Sequence, residues 1–107
     1  MLRIYQDALC MARDAAAVAT AIERRDGDLA RQLRRAASVV LNIAEASGVS
    51  GGNRRQRHHS ALGSAREVVA CFDVAEAMGY VAPVAAPARA RLDVVIGTLT
   101  SVLRFRC

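Results

Sequence analysis

The spacing of apolar residues is the feature that most constrains this chain. In the first twenty-two residues they recur at three- and four-residue steps, which match the 3.6-residue turn of an α-helix. These positions are Ile4, Tyr5, Ala8, Leu9, Ala12, Ala15, Ala19 and Ile22. No stretch of the sequence alternates β-branched and polar residues over the length that a half-buried strand needs. We therefore predict an all-α protein.

Three breaks divide the chain into four predicted helices. The turn Asp26-Gly27-Asp28 supplies a glycine and an N-cap carboxylate for the second helix, Gly79 suits the C′ position after the third, and Pro87 suits the first turn of the fourth. The longest break contains Gly48, Ser50, Gly51, Gly52 and Asn53. The predicted helices cover residues 2–23, 29–47, 53–78 and 87–105.

Short connections join antiparallel neighbours, so we predict an antiparallel up-down-up-down four-helix bundle. All 107 residues form one domain in this prediction, because the length suits a single core. Hydrophobic residues make up 53% of the chain but aromatic residues only 4%, and there is no Trp. The core must therefore be built mainly from Ala, Val, Leu and Ile.

Charge and cysteine content restrict the partners and the compartment. The formal charge is +5, and every basic residue other than the two histidines is Arg, whose guanidinium binds phosphates and carboxylates. Cys10, Cys71 and Cys107 are odd in number and widely spaced, which favours a reducing, cytoplasmic location over a disulfide framework or a zinc site. Charged residues interrupt both the N-terminal region and residues 84–103, so we expect no signal peptide and no membrane span.

The second predicted helix has one apolar and one polar side. At about 100° per residue, the polar side forms a ladder of Arg31, Arg34, Arg35, Ser38, Asn42 and Glu45. Such a ladder is either a solvated face with intrahelical ion pairs or a surface that meets a partner. Because Ser38 and Asn42 are mediocre helix formers, and Leu41 lies at the edge of this polar side, the second interpretation is favoured.

The third predicted helix is apolar on two sides. A broad stripe of Val68, Cys71, Phe72, Val74, Ala75 and Met78 is assigned to the core. Leu62 and Val69 project on the other side, and with Leu41 they predict a contact between subunits. Glu67 lies near the core stripe, so its carboxylate is expected to find a cationic partner, for which Arg34 and Arg35 are candidates.

Residues 54–59, which read Arg-Arg-Gln-Arg-His-His, form the densest cationic segment. Positive charge at the start of a helix opposes the helix dipole. An anion held by Arg54, Arg55, Arg57, His58 and His59 would explain that charge, although a solvated basic loop is the alternative. On either reading, replacing the three arginines by Ser should leave folding nearly intact.

No catalytic, cofactor or metal site is predicted. His58 and His59 are adjacent, so they point about 100° apart on a helix, and no ligand lies at zinc spacing nearby. Ser60 and Ser64 lack the context of an activated nucleophile, and there is no glycine-rich phosphate loop. We expect neither an enzyme nor a small-molecule substrate.

Four segments in order resemble the family of four-helix-bundle proteins encoded within intervening sequences of bacterial 23S rRNA genes. They are residues 2–8, 32–45, 61–67 and 78–80. Two departures are Ala46, where the family usually has Gly, and an interval between Arg35 and Ser38 that is about one residue short. The resemblance implies a bundle that often assembles as a ring of five.

A related branch, the accessory variability determinant of diversity-generating retroelements, is a basic pentamer that binds nucleic acid and a reverse transcriptase. This likeness is one of fold and charge. Two hypotheses follow for the present chain. In the first, an oligomeric, non-enzymatic adaptor binds RNA or a nucleoprotein through the arginines. In the second, the same arginines pair with acidic residues of a protein partner, or of another copy, without nucleic-acid binding.

Overall fold

The computed structural model describes residues 2–46 and 51–105, and the side chains of all of these except Leu2 and Phe105. It contains five helices: α1 (Leu2–Ile22), α2 (Gly27–Ala36), α3 (Val39–Ala46), α4 (Gly51–Ala77) and α5 (Ala86–Phe105). No residue in the described ranges is in a strand, which confirms the predicted all-α class. Ser47 at the end of the second predicted helix, Gly48 and Ser50 of the predicted break, and Cys107 lie outside the described residues.

The helices form the four arms of an antiparallel bundle, with α2 and α3 together making the second arm. Each arm packs against the arms before and after it, and α5 closes the bundle against α1. At one end, Nη1 of Arg25 after α1 donates to the carbonyl oxygen of Gly79 after α4, over 2.9 Å. At the other end, Arg55 near the start of α4 contacts Leu103 near the end of α5. The bundle measures 42 × 23 × 19 Å, and α4 runs along its full length.

The core contains mostly small side chains. Ala8, Ala15 and Ala19 of α1 are completely buried and let neighbouring helices approach closely. The largest fully buried side chains fill the space between them: Phe72, Met11, Ile22, Leu33, Ile43, Leu92 and Leu99. Most of the apolar positions whose spacing predicted the first helix are thus in the core, whereas Leu9 is 40% exposed.

Two helix ends have the geometry that their residues predict. Asp26 caps α2, since its Oδ1 accepts a hydrogen bond of 2.9 Å from the backbone N–H of Leu29. Gly79 follows α4 with φ +73°, a left-handed conformation that Gly adopts without a Cβ penalty. The N–H groups of Tyr80 and Gly79 donate to the carbonyls of Ala75 and Glu76, which completes a Schellman motif.

The second arm is broken at Ala37 and Ser38, so the prediction of one continuous helix over 29–47 is wrong. Around the break, the N–H of Ser38 donates to the carbonyl of Arg35, and the N–H of Leu41 to that of Ser38. Both bonds reach back three residues and are tighter than α-helical bonds. The break falls where Ser38 precedes two β-branched residues of low helix propensity.

Helix α4 does not carry a second, outer apolar stripe. Leu62 is only 8% exposed and belongs to the core, and Val69 is half-buried against it. Both were predicted to lie in a subunit contact because they face away from the main stripe. A helix in a four-arm bundle has two neighbours, so α4 needs apolar residues toward α3 and toward α5. Burial within the chain therefore removes the reason for assigning Leu62 and Val69 to an oligomer contact.

Several apolar side chains lie outside the core instead. Val74 and Met78, assigned to the core stripe from periodicity, are 44% and 60% exposed, and Cys10 is exposed as well. Leu41 is 65% exposed on α3, as its position at the edge of a polar side predicted. Leu9 on α1 is also exposed. The apolar surface of this bundle is thus different from the one that periodicity indicated.

Candidate nucleic-acid interface

Arg34 of α2 connects the exposed sides of α1 and α2. Its Nη1 lies 2.7 Å from Oε1 of Glu23, and its Nη2 lies 3.4 Å from Oγ1 of Thr20. Arg13 precedes Thr20 by seven residues, or two helical turns, so it lies on the same side of α1. Arg31 and Arg35 lie within one turn of Arg34 on α2, and both are exposed.

This surface, hereafter the arginine face, carries an excess of positive charge. Its cations are Arg13, Arg31, Arg34 and Arg35, with Arg24 exposed in the turn that follows α1, and its carboxylates are Glu23 and Asp28. Asp28 pairs with Arg31 over 2.7 Å, but both side chains are well exposed, so the pair contributes little stability. Arg13, Arg24 and Arg35 form no salt bridge with any residue that the structure describes. Three guanidinium groups therefore remain available to an external anion.

The sequence identified only part of this face. Arg31, Arg34 and Arg35 were predicted as anion ligands, and the structure places them together on the exposed side of α2. Arg13 and Arg24 were missed. They belong to the first helix and the turn after it, and nothing in the local sequence shows that α1 lies beside α2. The seven arginines of α1, α2 and the turn between them were the available signal.

The remaining members of the predicted polar ladder do not continue the arginine face. Ser38 and Asn42 are half-buried near the break, and Glu45 pairs with Arg57 of α4, Oε1 to Nη1, over 3.1 Å. The prediction of one uninterrupted ladder assumed a straight helix and is wrong. Glu67 is exposed on α4, and Arg34 instead binds Glu23. The expected pairing of Glu67 with Arg34 or Arg35 is therefore also wrong.

The cationic start of α4 binds the ends of its neighbours. Nε of Arg54 donates to the carbonyl oxygen of Ala46, the last residue of α3, over 3.1 Å. Nη1 of Arg55 donates to the carbonyl of Leu103 in the last turn of α5 over 3.0 Å. Carbonyls at a helix C-terminus lack intrahelical partners and carry partial negative charge. The positive charge that opposes the dipole of α4 thus complements the dipoles of α3 and α5.

His58 and His59 differ sharply in exposure. His58 is 4% exposed and is part of the bundle interior, whereas His59 is exposed. Burial keeps His58 away from the outer surface, so its role as an anion ligand stays a prediction that is limited to the cavity described next. A cavity of about 300 Å³ lies at this end of α4. It is lined by Gly51, Gly52, Arg54, Arg55, His58, Val102 and Leu103.

A model of the 23S rRNA-intervening sequence protein family matches residues 1–99. The chain belongs to this family. The match covers α1 to α4 and most of α5, so it includes the whole arginine face. Comparison with curated proteins gave no match, and comparison with solved structures gave none. The intervening sequence protein family is a helical family and is not a known enzyme family.

In this family member, Arg89 and Arg91 of α5 are paired with acidic residues. Arg89 lies 3.0 Å from Oδ1 of Asp73 and 2.9 Å from Oε2 of Glu76, and its guanidinium carbon is 5.5 Å from the ring centre of Phe72. Across α1 and α5, Arg91 binds Asp14 through two hydrogen bonds of 2.7 and 3.0 Å. These two cations are matched by acids.

Glu76 and Cys71, whose pKa values are shifted, have structural roles. The backbone N–H of Val84 donates a hydrogen bond to the Glu76 carboxylate, which lowers the pKa of Glu76, and a hydrogen bond from Arg89 lowers it further. The ionised carboxylate thereby holds the start of α5. Burial raises the pKa of the Cys71 thiol, and the nearby charge of Glu67 adds to that effect. A thiol of raised pKa is a poor nucleophile.

Among the described residues no group of His, Cys, Asp and Glu is arranged to hold a metal ion. No described helix is apolar and long enough to cross a membrane.

Proposed function

We propose that this protein is a non-enzymatic, cytoplasmic adaptor that binds RNA, alone or in a nucleoprotein, through the arginine face. The observation that carries the proposal is the set of three exposed arginines on one surface, Arg13, Arg24 and Arg35, that form no salt bridge within the described residues. Arg31 and Arg34 extend the same surface. Their carboxylate partners are exposed, and a phosphate can compete with such weak pairs.

Guanidinium groups suit this task because each presents planar, paired donors that match a phosphate. Binding releases the counterions condensed on the nucleic acid, so affinity falls as salt rises. The arginines at the start of α4 have a smaller part in this proposal. Arg54 and Arg55 are engaged by the ends of α3 and α5, while Arg57 and His59 are exposed enough to add peripheral contacts.

Self-association is the second part of the proposal. Leu41 exposes 65% of its surface and Leu9 exposes 40%, and burying such side chains between copies stabilises an assembly by roughly 1.5–3 kcal/mol each at full burial. Head-to-tail contacts of this kind close into rings. The number five rests on the family resemblance. A ring would repeat the arginine face around its axis and raise the affinity for RNA through multivalency.

A protein-interaction module without nucleic-acid binding is the second candidate. It is favoured by the same exposed Leu41, together with exposed Val74 and Met78 on α4. In that case, the arginines would pair with the carboxylates of a protein partner, and Leu41 would lie in the buried centre of the contact.

A filter-binding titration with a structured RNA tests the main proposal. Replacing Arg13, Arg24 and Arg35 by Gln should weaken binding at least about tenfold and reduce the dependence of affinity on salt. Arg66→Gln is the matched control, because Arg66 is exposed on α4 and forms no salt bridge within the described ranges. An affinity that is independent of salt, or equal loss in the control, would contradict the phosphate-contact mechanism. Salt-independent capture of one defined protein would favour the second candidate.

A further inference from the structure

The arginine face offers cations but no aromatic platform. Of the aromatic side chains that the structure describes, Phe72 is buried, and Tyr5 and Tyr80 pack partly against the core. The hydroxyl group of Tyr80 also lies 3.4 Å from Oδ2 of Asp26. Proteins that bind single-stranded nucleic acid stack successive bases on exposed aromatic rings, and each stacked base is worth roughly tenfold in affinity. The described part of this face has no ring in position for that contribution.

The cations are held on a rigid, two-helix surface. Arg13 and Arg24 are eleven residues apart along α1 and its following turn, which corresponds to about 16 Å at the helical rise. Arg31 and Arg35 lie on the neighbouring α2, whose axis is expected about 8–10 Å from that of α1. The guanidinium groups therefore cover an area rather than a line. The shared core of α1 and α2 holds the two helices relative to each other, and Arg34 bridges their exposed sides through Thr20 and Glu23.

A site that binds only phosphates favours the partner with the higher phosphate density. A duplex carries about twice the charge per unit length of a single strand, and each neutralised phosphate releases more counterion from it. A duplex also holds its two rows of phosphates at fixed positions, so less ordering is required on binding. In A-form RNA the bases are hard to reach from the major groove, and recognition is by shape and backbone.

We infer that the arginine face takes double-stranded RNA, through the phosphates of both strands and without selecting a base sequence. This inference rests on the proposed function and specifies its substrate class. It predicts that α1 and α2 both contribute arginines to one bound duplex.

The test is fluorescence anisotropy of the full-length protein with three RNA probes. One is a perfectly paired hairpin, the second is the same hairpin with its stem sequence shuffled, and the third is an unpaired oligonucleotide of equal length and composition. The two hairpins should bind within about twofold of each other and at least about tenfold more tightly than the unpaired strand. Replacing Arg13 on α1, or Arg35 on α2, by Gln should each weaken hairpin binding more than Arg66→Gln does.

The outcomes separate the inference from the function on which it rests. Equal or tighter binding of the unpaired strand overturns the duplex assignment while leaving RNA binding intact. A strong preference between the two hairpins overturns backbone recognition. If only one of the two substitutions, at Arg13 on α1 or at Arg35 on α2, weakens hairpin binding, the two-helix site is overturned. If no probe binds at all, the proposed RNA-binding function fails together with the inference.

Discussion

Nη1 of Arg55 lies 3.0 Å from the carbonyl oxygen of Leu103, which joins the first turns of α4 to the last turn of α5. Arg54 makes the equivalent contact with Ala46 at the end of α3. The cationic segment at the start of α4 therefore has a structural role, because antiparallel packing brings the positive side chains of one helix to the negative ends of two others.

Replacing Arg54, Arg55 and Arg57 together by Ser is expected to destabilise the protein by about 1–3 kcal/mol. The carbonyls of Ala46 and Leu103 would lose charged donors, and Glu45 would lose its partner. This reverses the expectation from sequence that folding would be nearly intact. Urea denaturation measures the change, with Arg66→Ser as the control. A free energy of unfolding equal to that of the control would show that these contacts add no stability.

Glu76 should make stability depend on acid pH. Because the folded protein lowers the pKa of this carboxyl below its ordinary 4.5, its contribution is complete above that pH. It is lost as pH falls toward the pKa of the folded state, since the unfolded chain takes up the proton first. In denaturant titrations, Glu76→Gln should be less stable than the wild type at pH 7, and the difference should shrink at about pH 3.

Glu67→Gln is the comparison for Glu76, because Glu67 is exposed and forms no salt bridge within the described residues. It should leave the stability at pH 7 unchanged. A Glu76→Gln variant whose deficit stayed constant from pH 7 to pH 3 would contradict the role of the ionised carboxylate.

Substitution by Ala should change the stability in opposite directions at two glycines of the α4 arm. Gly79→Ala is expected to cost about 1 kcal/mol, because φ is +73° and a Cβ is strained there. Gly63 lies inside α4, and a Cβ there would meet nothing within 4 Å, so Gly63→Ala should stabilise by about 0.5–1 kcal/mol. Thermal unfolding by circular dichroism compares them. Equal shifts in Tm would refute the assigned backbone conformations.

Leu62 and Leu41 should separate folding from association. Leu62→Asp places a charge in the core and should abolish cooperative folding. Leu41→Asp changes an exposed side chain, so helicity should persist while any assembly dissociates toward 11.4 kDa. Circular dichroism measures the helicity, and light scattering coupled to gel filtration measures the mass of the assembly. Val69→Asp should resemble a milder Leu62→Asp, because Val69 packs against the core.

The mass of the wild-type protein tests the proposed assembly directly. A monomer at micromolar concentration would exclude the oligomer, and a dimer or tetramer would exclude only the count of five. An assembly that Leu41→Asp leaves whole would show that its contact lies elsewhere on the bundle.

Local rules were enough to predict the four helical arms and several helix ends, although they missed the break at Ala37 and Ser38. Apolar residues at helical spacing define α1 and its buried stripe, Asp26 caps α2, and Gly79 ends α4 in the left-handed conformation. These features depend on residues within a few positions of one another, so they can be derived from the sequence without knowledge of the packing.

Only the tertiary structure decided which surfaces stay exposed and which charges stay available. Leu62 is buried because α4 has neighbours on two sides, whereas Met78, which has the same periodicity as the core stripe, is exposed near the helix end. Arg54 and Arg55 are engaged by α3 and α5, while Arg13 joins Arg34 and Arg35 because α1 lies beside α2. Periodicity specifies the direction of a side chain about its own helix axis. The partner in that direction is set by long-range packing, which residues distant in sequence determine together.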